Sequence, residues 1–516
     1  MEPPSPDFED LKRDLLLRAQ TTEVFNEIWE DQALPHLRSV MKENSLTEYS
    51  IAVEFNYDFN HRIVEVTTPK MFPEGAKSAV TEKIDVMFKS ATLYVEIQFF
   101  QGVDERSSNS AADSDEDCDW DDPTNGTDYL GPPSSDTPTH PGRLLNGDSI
   151  DRENGRSAAT LGPAIQLDNE RIVWLVSGHV FEGVQALNGS DPSLGLPECY
   201  LVHPGNLDRR PGREVKRVAK LYAHSGPMCR TQRQSRSIAK FATKVRPEQR
   251  WVVTDWALCV PEKDEIRLLN HLRYAPRGRE FQDCSGLVDA PFPTNPKLRL
   301  VRSSGRSSGI RWSVVCETPA EVKHGDQPPT REWYLEIIKG KNSPLSVDQW
   351  NSGGPGMPGD SGAVIVDDET RKFIGIIWGR SRRVDERKPR RAYFTHGCDV
   401  FDDIYSRCED IAKYPRLVDQ TDGSMDLPER PSNLPRNYDP RDFSNGDGDR
   451  PTLSSTSKRC GASEITKCAS RESMAATACG SSDGGVSILG RPDSGYHANA
   501  MFEKAADYLI VPQDGV

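Results

Sequence analysis

"GMPGDSGAVIV", residues 356–366, places three glycines, an acid and a serine directly before an apolar, strand-like run. One reading is a tight turn built from flexible residues. The other is a nucleophile, Ser361, held out on a rigid scaffold. A serine nucleophile needs a general base, normally a histidine, and a carboxylate to orient it. Of the ten histidines, His179 ends an apolar run in "VWLVSGHVF" (173–181), where Ser177 and Gly178 allow a tight bend facing a cleft. Its rival, His203 in "CYLVHPG", precedes Pro-Gly and reads as a turn histidine. Among the acids, Asp255 lies in "WVVTDWALCV" with apolar residues on both sides. A carboxylate is costly to bury unless it is paired or hydrogen-bonded, so it is either an exposed strand residue or the partner of an imidazole N–H. Asp360 is the weaker candidate, because its place beside Ser361 points it elsewhere.

The rest of the chain sets limits on that reading. It has 516 residues, enough for two or three folded units and their linkers. Hydrophobic residues make up 35% and mean hydropathy is −0.64, low for a chain packed throughout. A net charge of −15 argues against nucleic acid as the main partner. The opening "MEPPSPDFEDLKRDLLLRAQ" lacks the pattern of a secretory signal, and no apolar run is long enough to span a membrane. The eleven cysteines are odd in number and without paired spacing, which reads as reduced thiols in a cytoplasmic or nuclear protein.

Residues 1–103 read as a helical segment followed by a small α/β unit: two strand-like runs, "YSIAVEFNY" and "HRIVEVTTP", a helix and a third strand. Residues 104–156 are acidic and rich in Ser, Pro and Gly, the composition of a disordered linker. From 157 to 412 short apolar runs alternate with Gly, Pro and Asp turns, the pattern of a β-barrel or sandwich, closed by a helix in "DVFDDIYSRCEDIAKY". Residues 413–516 read as a mostly disordered tail, with a short helix candidate in "HANAMFEKAADYLIV".

His179, Asp255 and Ser361, in that order, resemble the triad of the chymotrypsin-like (trypsin-like) serine proteases. "LVSGH", "DWAL", the intact Gly-Asp-Ser-Gly, "IIWG" at 376–379 and "AYFTHGCDVFDDI" carry the resemblance, which covers about 157–412. It implies a double β-barrel with Ser361 as nucleophile and His179 as general base and then acid. Asp255 would hold the His tautomer, and the Gly359 and Ser361 N–H groups would form an oxyanion hole. It further implies that Pro355, Trp378 and Gly379 line the substrate channel, and that no cofactor or metal is required. There are departures. Ile377 stands where the family usually has a serine supporting the catalytic Asp, so Asp255 is expected to have one partner fewer. Val180 replaces the usual Cys. Pro355 replaces the Asp of the trypsin group, so a preference for Arg or Lys is not expected. No Ile-Val-Gly-Gly start is present to pair with Asp360. The turn in "VRSSGRSSGIRWSVV" (301–315) is similar to that of intracellular fungal relatives, including nutrient-sensor processing proteases.

Two basic runs, 209–220 and 379–391, are either solvated loops or, for the second, a surface beside the substrate channel. There it would favour acidic substrate segments or the chain's own acidic stretch at 104–122. The expectation is an intracellular serine endopeptidase acting on protein or peptide substrates and restrained by its N-terminal region. The alternatives are a protease fold that binds peptides without cutting them, and an interaction protein whose function lies in the N-terminal unit.

Overall fold

The computed structural model describes residues 6–56, 59–106, 143–155, 157–167, 171–181, 199–208, 215–226, 231–241, 246–262, 267–272, 289–291, 295–338, 346–383, 388–408, 411 and 413–418. The tail beyond 418, with its helix candidate, lies outside them, as does 107–142 of the expected linker. The described part is mainly β, built on two large sheets with few helices.

In the N-terminal region, α1 (Pro6–Ile28) and α2 (Leu34–Glu43) are joined by one wider turn at Trp29–Ala33. Strand β1 (Tyr49–Asn56) runs antiparallel to β2 (His61–Thr68). Helix α3 (Glu74–Lys89) then crosses over to β3 (Val95–Arg106), which lies parallel to β2. Parallel neighbours need such a crossover. Phe25, Trp29, Leu37, Val53, Val64, Ile84 and Phe88 form the core between these helices and strands.

One sheet of eight strands contains β4 (Ile172–Val176) and β5 (Ala257–Pro261) as antiparallel neighbours. The other sheet holds six strands that pair in a closed ring: β6 (Leu300–Gly305), β7 (Gly309–Val315), β9 (Thr330–Glu336), β12 (Ala392–His396), β11 (Lys372–Arg383) and β10 (Val364–Asp367). Closure leaves these strands no free edge over the paired length. Helix α4 (Gly397–Arg407) follows β12, with Val400, Phe401 and Ile404 packed against Phe373 and Ile376 of β11.

The N-terminal region does not stop at residue 103 and does not stand apart. Strand β8 (Ala320–Lys323) extends the ring outward and pairs with β1, Ile51 opposite Glu321. At the other end β3 returns to the ring and pairs antiparallel with β11, from Arg383 opposite Gly102 to Gly379 opposite Arg106. Residues 104–106, assigned to the linker on composition, are therefore strand, because the β11 edge satisfies backbone groups that composition cannot account for. Arg143–Asn146 and Ser149–Arg152, also in the expected linker, are strands too.

Buried ion pairs fasten the same junction. Arg18 bonds Glu336 at 2.8 Å, Arg62 bonds Glu317 at 2.8 Å, and Arg331 bonds Glu30 at 2.8 Å. Arg391, from the second basic run, pairs with Glu65. Two of that run's arginines, Arg380 and Arg391, are thus buried within the fold instead of lying on a solvated loop.

Candidate active site

β4 ends at Val176, and the chain then makes one short helical turn, Gly178–Phe181, which carries His179 off the strand axis. Because β5 pairs with β4 at Ala257 opposite Val176, Asp255 lies just before the paired stretch, beside that turn. His179 Nδ1 is 2.5 Å from Asp255 Oδ2, and the His179 backbone N–H donates to Oδ1 at 2.9 Å. Asp255 is not short of a partner, as Ile377 had suggested. The Ser177 hydroxyl donates to Oδ2 and lies 3.0 Å from His179 Nδ1. All three side chains are buried.

The residues on either side of Asp255 are held from α4. Asp403 Oδ2 accepts from Thr254 Oγ1 at 2.8 Å and from Trp256 Nε1 at 2.8 Å. Burial works against its charge, but Arg407, Arg233 and these two donors keep its carboxyl below the usual range.

Ser361 sits on the loop that enters β10. Gly359 and Gly362 have φ of +96° and +89°, conformations that favour glycine. Gly362 also faces Ser177: a Cβ there would lie 3.3 Å from the Ser177 amide nitrogen and 2.5 Å from Thr160 O. Thr160 ties the loop to the eight-stranded sheet, donating its N–H to Ser361 O at 2.9 Å and its hydroxyl to Gly359 O at 2.7 Å. The Ser361 loop and the His179 turn therefore meet at Ser177. Ser361 Oγ and His179 Nε2 are both buried, and neither makes a hydrogen bond among the described residues. Such bonds often tighten only when substrate binds. Among the described residues the Gly359 and Ser361 N–H groups have no backbone acceptor.

Asp360 points away from Ser361. Its carboxylate accepts from the N–H groups of Ser307 at 2.9 Å, Ser308 at 3.1 Å and Met357 at 3.2 Å. Burial raises its pKa, opposed by the Ser308 and Ser307 donors and the charge of Arg380. The turn between β6 and β7 thus supplies two of the donors to Asp360.

The expected channel residues fare differently. Gly379 is buried and faces Arg106 of β3 across the strand pair. Pro355 is also buried. Trp378 does not wall an open channel: it is 1% exposed and stacks on Tyr393 in the core, centroids 5.5 Å apart. The bulge in the β11–β12 pairing between Ile377 and Gly379 falls at this residue. His203 is structural, its Nδ1 lying 2.7 Å from Ser149 O. The sequence singles out Ser177 only as a small residue of the bend and the 301–315 turn only for its family likeness; their bonds to Asp255 and Asp360, and those of Thr160 and Asp403, run across long sequence separations and have no local signal.

No family model and no curated protein matches this chain. Among solved structures it is similar to a glutamic acid specific serine protease that uses a histidine triad in substrate binding. That likeness has 13% identity and a TM-score of 0.29, over 50% of this chain and 96% of the other. The values for the Nocardiopsis protease NAPase are 13%, 0.29, 54% and 100%. For Cellulomonas bogoriensis chymotrypsin they are 14%, 0.28, 49% and 91%. Likeness at this level assigns neither an activity nor site residues. No described helix is long and apolar enough to cross a membrane.

Proposed function

We propose that the protein is an intracellular serine endopeptidase with Ser361, His179 and Asp255 as its triad. The observation that carries this reading is the His179–Asp255 pair, beside which the Ser361 loop docks through Gly362 against Ser177. His179 Nε2 takes the proton as Ser361 Oγ attacks the peptide carbonyl. The Gly359 and Ser361 N–H groups receive the oxyanion, and Nε2 returns the proton to the leaving amine. Water then attacks the acyl-enzyme by the same route. The five described cysteines are free thiols, which supports the intracellular assignment. The narrower likeness to fungal nutrient-sensor proteases rests on the 301–315 turn alone.

The N-terminal region restrains the enzyme. Strand β3 lies along Gly379–Arg383, the edge that an extended substrate would use, and it runs toward Gly379 with increasing residue number. The buried nucleophile fits the same state, and it also favours a second reading, a peptide-binding protein that does not cut.

A fluorophosphonate probe on the full chain tests both. Slow labelling is expected, lost in Ser361→Ala, reduced about 10⁴-fold in His179→Ala, and accelerated in Val103→Pro, which disturbs the β3 pairing. Folded Val103→Pro protein that stays unlabelled would favour the peptide-binding reading. Labelling that survives Ser361→Ala would refute the triad.

A further inference from the structure

Ser177 is fully buried, and its one hydroxyl touches both members of the His179–Asp255 pair. We propose that Ser177 is a positioning residue: its hydroxyl fixes the Asp255 carboxylate and, through it, the imidazole tautomer that leaves Nε2 free to accept a proton. The inference rests on the triad reading above.

Donor and acceptor counting supports it. Ser177 Oγ, His179 Nδ1 and Asp255 Oδ2 form a triangle with all three sides at hydrogen-bond distance. An ionised carboxylate only accepts, whereas a hydroxyl has a single proton to give. With that proton on Oδ2, the 2.5 Å side between Nδ1 and Oδ2 needs a second proton, which must sit on Nδ1. Nε2 then carries the lone pair. In the opposite tautomer the Nδ1 lone pair would face the carboxylate. The Ser177 proton could relieve that only by giving up its bond to Oδ2 and turning to Nδ1. That is costly, so the closed triangle favours one proton arrangement. The same residue's amide nitrogen lies against Gly362, so the proton arrangement is set where the nucleophile's loop docks.

The test needs no turnover. In the full chain the His179 Nδ1 proton is expected as a low-field proton NMR signal, assigned by its loss in His179→Gln. Ser177→Ala is expected to shift that signal and to speed its exchange with water by about 10- to 100-fold, the effect of losing one bond to a charged group. Ser235→Ala is the control. It removes a comparable buried hydroxyl, which donates to Asp399 at 2.7 Å, and is expected to lower stability without moving the signal. A Ser177→Ala protein whose signal keeps its position and exchange rate overturns the proposal, even if its stability falls. If instead the low-field signal persists in Asp255→Asn, the His179–Asp255 pairing itself is wrong, and the triad reading fails first.

Discussion

Glu332→Gln is expected to change the pH dependence of stability in a defined direction. Glu332 lies in β9, fully buried, and accepts the Val253 N–H at 2.9 Å, two residues before Asp255. Burial raises its carboxyl from 4.5 to about 8, with the negative charge of Asp399 adding to the effect. The folded chain therefore binds this proton more tightly than the unfolded chain does. The stability that comes from the bound proton is full below about pH 4.5 and is lost progressively as pH rises to about 8. At about 1.4 kcal/mol per unit, a displacement from 4.5 to about 8 is worth at most about 5 kcal/mol. Glutamine keeps the acceptor for Val253 and never ionises. Urea unfolding of both proteins, followed by tryptophan fluorescence at several pH values, gives the comparison. The two should match near pH 4.5, and the variant should gain steadily to pH 9, where it is the more stable by up to that amount. Parallel profiles from pH 4.5 to 9, or a variant less stable at pH 9, would refute the reasoning.

Arg18→Ala should cost about 3–5 kcal/mol, because it leaves Glu336 buried without its partner; urea unfolding measures it. A single proteolytic cut within 107–142 should leave two pieces that co-elute on gel filtration and separate only in denaturant. The β1–β8 and β3–β11 pairings and the buried ion pairs hold them together; separation in plain buffer would contradict this. A substrate-library profile should show no preference for Arg or Lys before the cut bond, since Pro355 offers no charge there and the nearby buried Arg380 is itself a cation.

Part of this architecture was legible in the chain. Apolar runs broken by Gly, Pro and Asp marked the strands of both sheets, because strand and turn preferences act over a few residues. "GDSG" marked a loop that only glycine can make at 359 and 362, and "LVSGH" marked a histidine carried off a strand end; both are local backbone properties. Other features were settled only when distant segments met. Ile377 offers Asp255 no hydroxyl, and the donor comes instead from Ser177, 78 residues away in sequence from Asp255. The sequence offers no Ile-Val-Gly-Gly start to pair with Asp360, and the amides of Ser307 and Ser308 meet its carboxylate from the 306–308 turn. Residues 104–106 looked like solvated linker, whereas an unpaired strand edge on β11 accepted them. Composition and periodicity report what a segment can form by itself. Which donor reaches a buried carboxylate, and which strand covers an open edge, depends on the register of chains hundreds of residues apart, and that is fixed only by packing the whole molecule.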